Sequence, residues 1–194
     1  MIRGLILLLL LMPSVLMAQE PAQVSRLLQS AYDQVGKTVS YDPAYTPIAF
    51  PGGDVPLDRG VCTDVIVRAY RGIGVDLQLL VNQDMHAAFG AYPKLWGLAR
   101  PDSNIDHRRV QNLAVFFKRH GKELPVSGDG RDYKPGDIVT WRLPDGRPHI
   151  GLVSDRQSGG TPLIVHNIGA GAEVEDTLFT YTISGHYRYG LDIG

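Results

Sequence analysis

Apolar residues recur at helical spacing early in the chain, at Val24, Leu27, Leu28, Ala31, Tyr32 and Val35. Steps of three and four residues place these side chains on one face of an amphipathic helix. We therefore predict a first helix that Pro21 opens and Gly36 closes. The pattern then disappears over residues 41–60, where Pro, Gly and Asp are frequent, and this segment is predicted to be an irregular loop.

Three more helices are predicted before the pattern changes. The second begins at or beside Cys62, and the third follows Asp76, whose side chain can cap it. The fourth is predicted to follow Asn104 as its cap, with Asp106 in the first turn, and to end at Gly121.

Beyond residue 121 the apolar residues form short runs separated by turn signals. Strands are predicted at 137–141, 149–153, 163–166, 178–183 and 187–191. Short turns such as Pro144-Asp145-Gly146 make neighbouring strands antiparallel. Helices followed by such a meander predict an α+β fold, with N-terminal helices packed on a C-terminal antiparallel sheet.

The N-terminus has the features of a signal peptide over residues 1–18. Arg3 precedes a short apolar run, and the small residue Ala18 ends the segment. An uncleaved anchor is the alternative, because Leu16 stands where processing favours a small side chain. The mature chain, residues 19–194, is expected to form one domain without an integral membrane segment, in the periplasm or outside the cell.

Charge excludes two classes of partner. The chain has 19 basic and 20 acidic residues, and removal of the signal peptide takes away one base, Arg3, which leaves a small net negative charge. Such a chain does not attract nucleic acid or an anionic membrane surface. A 44% share of hydrophobic residues is typical of a soluble globular protein.

Cys62 is the only cysteine in the sequence. In an exported protein a lone thiol cannot form an internal disulfide, so it is either a buried apolar residue or a functional nucleophile. Its position at a predicted helix start favours the second interpretation. Free backbone N–H groups and the helix dipole lower a thiol pKa there, and the same groups can hold an oxyanion. We therefore predict a lowered pKa for Cys62.

A thiol nucleophile needs an imidazole base and a group that orients it. His149 opens a predicted strand directly after a turn, and we predict that it is the base. The next strand ends in His166-Asn167. Successive strand residues face opposite sides, so only one of the two can orient His149. His166 is the first choice and Asn167 the alternative.

The order of these segments carries a family resemblance. The matching segments are Gly52-Gly53, Gly60-Val61-Cys62-Thr63-Asp64, Pro135-Gly136-Asp137-Ile138-Val139, His149-Ile150-Gly151-Leu152-Val153 and His166. Together they resemble the NlpC-type, papain-like cysteine hydrolases of bacterial cell walls. That resemblance implies a cysteine-bearing helix on a small antiparallel sheet and hydrolysis of an amide in peptidoglycan stem peptides.

The stretch from about Gln23 to Gly190 more closely resembles the bacterial domain of unknown function 1287 family, which implies no activity by itself. Three departures from the NlpC pattern stand out: a helical insert at about 76–121 lies between nucleophile and base, Thr63 follows the cysteine where serine is usual, and Phe50 replaces a frequent tyrosine. Tyr41 or Tyr45 could supply the missing hydroxyl.

Four residues are candidates for binding a cell-wall peptide. Arg108 and Arg109 lie in the helical insert, either as a clamp for substrate carboxylates or on a solvated helix face. Trp141 either lines the cleft or fills the core, and Thr63 lies next to the nucleophile. His107, beside the arginines, is expected to pack or to cap.

Other functions remain open on the sequence alone. The same chemistry could serve an acyltransferase or an amidase on a non-wall substrate, and a decayed site would leave a wall-binding module. No cofactor is expected, and no metal site, because the histidines lack the close pairing of zinc motifs. The sequence makes no prediction of oligomeric state.

Overall fold

The structure is a computed structural model that describes the backbone of residues 14–191 and the side chains of residues 22–191. Its helices are α1 (Ser14–Tyr32), α2 (Cys62–Arg71), α3 (Leu77–Ala88) and α4 (Val110–His120). Its strands are β1 (Ser40–Tyr41), β2 (Arg59–Gly60), β3 (Lys122–Glu123), β4 (Ile138–Arg142), β5 (Pro148–Ser158), β6 (Thr161–His166), β7 (Glu173–Glu175) and β8 (Thr182–Arg188). Most of the predicted signal peptide lies outside the described residues.

Six strands form one sheet in the order β3-β8-β4-β5-β6-β7, and every neighbouring pair is antiparallel. The predicted α+β class, with N-terminal helices on a C-terminal antiparallel sheet, is confirmed. Strand ends were predicted less well. The run at 187–191 is wrong, since β8 ends at Arg188, and Leu178 is a buried core residue that precedes β8 rather than part of a strand.

The sheet has a core on each face because its strand residues alternate. On one face Ile150, Leu152 and Val165 pack with apolar residues of α1, α2 and α4. On the other face Trp141 and Ile164 belong to a smaller cluster. Both faces of the central strands are therefore covered, which fixes the strand register close to the site.

The helix start at Cys62 is confirmed, and so is the cap of α3, where Asp76 accepts a hydrogen bond from the backbone of Gln78. The first helix begins earlier than predicted, at Ser14 rather than Pro21, because the residues before the proline are good helix formers. None of the described helices is long and apolar enough to cross a membrane.

The predicted fourth helix is interrupted. A 3-10 turn at Asp106–Arg108 is separated from α4 by Arg109, whose backbone is extended (φ −110°, ψ 119°). Asn104 does not cap α4, because its side chain accepts a hydrogen bond from the backbone of Ile48. The interruption arises because the side chains of the turn are buried instead of lying on a solvated helix face.

Candidate active site

Cys62 lies at the first position of α2, where its thiol meets the end of the sheet. The backbone N–H groups of Thr63 and Ile150 hydrogen-bond to the sulfur. Ile150 directly follows His149 in β5, so the thiol and the predicted base are brought to the same strand end. Asp64 accepts a hydrogen bond from the backbone N–H of Val61 at 2.7 Å and thereby fixes the start of the helix.

Burial reverses the prediction that the thiol pKa is lowered. Only 3% of Cys62 is exposed, and this burial raises the pKa of its thiol to about 11, against the lowering effect of the backbone hydrogen bond from Ile150. The charge of Asp64 raises the pKa further. The helix start does act in the predicted direction, but loss of solvent around the sulfur is the larger effect.

The structure brings His149 and His166 together. Nε2 of His149 lies 2.8 Å from Nδ1 of His166, and both rings are buried. Burial lowers the pKa of His149 to about 3, and the charges of His166 and Arg147 lower it further. Burial also lowers the pKa of His166, against the raising effect of Glu175. Both imidazoles are therefore neutral at pH 7.

Glu175 extends this pair in a way that the sequence did not indicate. Its Oε2 lies 2.8 Å from Nε2 of His166, and its side chain is 41% exposed. The contact follows from the register of β6 and β7, in which His166 stands opposite Glu173, two residues before Glu175. Such a register cannot be read from local sequence.

Asn167, the alternative orienter, points elsewhere. Its Nδ2 donates to the backbone oxygens of Ser40 at 3.3 Å and Gly60 at 3.1 Å. It thus joins β1 and β2, a short parallel pair in which Tyr41 stands opposite Gly60. Asn167 therefore holds the loop that approaches Cys62 and does not contact the base.

Of the two tyrosines that could supply the missing hydroxyl, Tyr41 and Tyr45, it is Tyr41 that lies beside the thiol. Its hydroxyl hydrogen-bonds to Cys62, and burial, followed by the neighbouring thiol, raises the pKa of Tyr41. Tyr45 instead bonds to Asp102 at 3.1 Å and is largely exposed. The hydroxyl of Tyr41 is therefore a neutral donor next to the sulfur.

Arg108 lines the cleft over the start of α2, but its guanidinium is occupied by protein groups, so the predicted clamp for substrate carboxylates is not supported at this residue. Its Nε and Nη2 each lie 2.9 Å from the carboxylate of Asp64, and Nη1 and Nη2 donate to the backbone oxygens of Ala44 and Asp42. The Arg108 side chain is only 2% exposed. Thr63 is also misassigned, because it is buried and its hydroxyl donates to the backbone oxygen of Arg108 at 2.9 Å.

Arg109 lines the same cleft. This cleft has a volume of about 360 Å³ and lies over the start of α2. Its lining includes Cys62, Tyr41, Trp96, Arg109, Arg147 and Pro148. The guanidinium of Arg109 stacks on Trp96 at 4.0 Å and pairs with Asp106 at 3.2 Å. The backbone of Arg109 is extended where it joins the 3-10 turn to α4.

Trp141 mainly fills the core; it is absent from the lining of this cleft but contributes to the lining of a smaller neighbouring cavity. It is 2% exposed, its Nε1 donates to the backbone oxygen of Leu178 at 2.9 Å, and its ring lies 5.7 Å from that of His149. Gly151 makes room for this packing. A Cβ at residue 151 would lie 2.5 Å from Ile164 and 3.2 Å from Trp141. Trp141 therefore packs beside His149, the predicted base.

His107 packs as expected. It is buried, its pKa is lowered to about 4 by burial and by the charge of Arg71, and its Nδ1 finds no hydrogen-bond partner among the described residues. Within residues 22–191 no group of three or more His, Cys, Asp or Glu side chains is arranged to hold a metal ion.

A family model described as "Domain of unknown function (DUF1287)" matches residues 28–189. The chain belongs to the DUF1287 family. The chain is also 53% identical over 178 residues to a protein of Escherichia coli (strain K12) titled "Uncharacterized protein YijF", and the alignment covers 91% of this chain and 86% of that protein. The resemblance to this family predicted from the sequence is therefore confirmed.

One solved structure, titled "Structure of NlpC1 from Trichomonas vaginalis", is similar to this DUF1287 protein with a TM-score of 0.44 and 18% sequence identity. The match covers 84% of this chain and 44% of that one, so this chain spans less than half the length of NlpC1.

Sequence reasoning missed two further members of the site of this DUF1287 protein. Trp96 lies in an irregular segment with no periodic pattern, and Arg147 lies in the turn before β5. The turn itself was predicted, and its position next to the base is the one signal that could have pointed to Arg147.

Proposed function

We propose that this protein is an exported cysteine hydrolase that cleaves an amide bond of cell-wall peptides through an acyl-enzyme on Cys62. The observation that carries the proposal is the convergence of a buried thiol at a helix start with the hydrogen-bonded pair of His149 and His166. A cysteine that only filled the core would not need a buried, oriented imidazole pair at the same strand end.

The raised pKa of Cys62 and the lowered pKa of His149 make both groups neutral before substrate binds. Attack then proceeds by general-base catalysis. The thiol proton moves to His149 as sulfur bonds to the amide carbon, and the backbone N–H groups at the start of α2 hold the oxyanion. His149 gives the proton to the amine as the carbon–nitrogen bond breaks. Water then attacks the thioester with His149 again as base, and the proton passes to the sulfur as the carbon–sulfur bond breaks and the acid product leaves.

The cleft supports an acidic peptide as substrate. Among the described residues, its lining includes arginines and no carboxylate side chain. Arg109 approaches it from the residue before α4, and Arg147 from the β4–β5 turn. Arg147 lines the same cleft as Cys62, and its guanidinium pairs with Asp145 at 2.6 Å. Guanidinium groups bind carboxylates well, and cell-wall stem peptides carry carboxylates.

A second, smaller cavity of about 180 Å³ continues this cleft. The two share Val110, Gln111 and Pro148 in their linings. A groove that extends past the nucleophile suits a chain-like substrate better than a small molecule. Export, which a wall substrate requires, is part of the proposal and is supported by the N-terminal sequence, with its basic residue, apolar run and small residue.

The test is digestion of purified peptidoglycan by the mature protein, with the products identified by mass. The wild type should release fragments that differ at one amide bond, and Cys62→Ala should release none. His166→Ala should lower the rate, while Asn167→Ala, its neighbour in sequence, should act mainly on stability. Release of fragments by Cys62→Ala would refute the proposal. Synthetic stem peptides with free or amidated carboxylates then test the acidic preference, which should fall when Arg147 is replaced by Gln.

A further inference from the structure

Three side chains form a chain of hydrogen bonds behind the nucleophile. Oε2 of Glu175 contacts Nε2 of His166 at 2.8 Å, and Nδ1 of His166 contacts Nε2 of His149 at 2.8 Å. Both rings are nearly inaccessible to solvent, so the partners of their nitrogens are mainly protein atoms. The outer end of this chain is the carboxylate of Glu175, and this determines where the protons lie along it.

A carboxylate can only accept hydrogen bonds. Nε2 of His166 must therefore carry a proton, and in a neutral ring its Nδ1 is then an acceptor. Nε2 of His149 must donate to that acceptor, which leaves the lone pair of His149 on Nδ1. The base accepts the thiol proton only if one ring nitrogen has a free lone pair, and the carboxylate end of the chain provides this state.

We propose that Glu175 is a positioning residue that sets the tautomers of His166 and His149, so that Nδ1 of His149 is the atom that accepts the proton of Cys62. After that transfer the positive charge on His149 is stabilised by its Nε2–H bond to His166, whose acceptor atom is made more basic by Glu175. The step moves one proton from sulfur to nitrogen and leaves every other proton in place.

Glu173 provides a matched control on the same strand. It stands opposite His166 in the β6–β7 pair, and its charge raises the pKa of His166, although less than that of Glu175 does. The hydrogen bond to Nε2 comes from Glu175. Removing either Glu173 or Glu175 takes away one negative charge near His166. Only loss of Glu175 removes the acceptor that fixes the tautomers.

The experiment compares Glu175→Gln, Glu175→Leu and Glu173→Gln with the full-length mature protein. Glu175 is 41% exposed, so these changes should leave the melting temperature nearly unaltered. One readout is the tautomer of His149 and His166, from the nitrogen-15 signals of histidine-labelled protein. The other is hydrolysis of the wall peptide, with kcat and KM determined separately.

Wild type should show a single tautomer with the proton on Nε2 of both rings, and both Glu175 variants should show mixed or reversed tautomers. Their kcat should fall about 10- to 100-fold, the range known for groups that orient metal-ligating histidines, with KM little changed. Glu173→Gln should keep the wild-type tautomers and kcat.

Wild-type tautomers in both Glu175 variants, or a wild-type kcat in both, would overturn the assignment, and so would an equal loss in Glu173→Gln. The kinetic readout rests on the proposed hydrolase function, whereas the tautomer readout does not need turnover. An inactive wild type with the expected tautomers would count against the hydrolase function and leave the role of Glu175 in setting the tautomers supported.

Discussion

Arg108 and Arg109 are adjacent in sequence but should respond in opposite ways to the same substitution. The guanidinium of Arg108 makes two hydrogen bonds of 2.9 Å to Asp64, and both side chains are at most 3% exposed. Replacing Arg108 by Gln leaves the Asp64 carboxylate buried without its cation. Breaking a buried ion pair in this way costs about 3–5 kcal/mol.

For a chain of this size a loss of 3–5 kcal/mol lowers the melting temperature by roughly 6–20 °C, at about 2–4 °C per kcal/mol. The matched change Arg109→Gln removes a stacking contact with Trp96 and an ion pair with Asp106, but Asp106 keeps its hydrogen bond from the backbone N–H of Asp102. The loss should be about 1–2 kcal/mol, which lowers the melting temperature by about 2–8 °C.

The assay is thermal unfolding of both variants, followed by measurement of KM with an acidic wall peptide. We expect Arg108→Gln to lose stability, and Arg109→Gln to keep most of it while KM rises. Equal melting temperatures for the two variants would refute the argument from burial. A higher KM in Arg108→Gln than in Arg109→Gln, with both proteins folded, would support the prediction that Arg108 binds substrate carboxylates.

Three further changes test the surroundings of the site. Burial raises the pKa of Cys62 to about 11. Its rate of alkylation by iodoacetamide should therefore rise with pH at a midpoint above that of a free thiol. A midpoint below that of a free thiol would show that the helix start outweighs burial. The folded-state pKa values of His149 and His107 are lowered from 6.5 to about 3 and about 4, so only the unfolded chain binds these protons as pH falls below 6.5. Stability should therefore fall from pH 6.5 to 4 by up to about 1.4 kcal/mol per pH unit for each histidine, and a flat profile in urea unfolding would contradict these shifts. Gly151→Ala places a Cβ 2.5 Å from Ile164 and should cost about 1–3 kcal/mol; Gly169→Ala, where nothing lies within 4 Å, is the control and should leave stability unchanged.

The parts of the fold that could be predicted are those with a local signal. A helix start at Cys62 and a cap at Asp76 follow from short-range patterns, and the antiparallel meander follows from turn residues. The pairing of His149 with His166 was accessible for the same reason, since both lie at the ends of consecutive strands.

What could not be predicted depends on burial and on long-range register. The charged residues Asp106 and Arg108 are typical of a helix surface in sequence, but both lie inside the protein. Their burial breaks the fourth helix and commits the guanidinium of Arg108 to Asp64, although Arg108 still lines the cleft. The pKa of Cys62 was misjudged for the same reason, because the sequence shows the helix start but not the depth of the thiol.

An acyl-enzyme on Cys62 is detected most directly from the intact mass of the protein after rapid acid quenching with a wall peptide. The mass of the wild type should increase by the acyl half of the substrate, located on the peptide that contains Cys62, and the mass of Cys62→Ala should not change. Hydrolysis that continues in Cys62→Ala, or an adduct on another residue, would contradict an acyl-enzyme on Cys62.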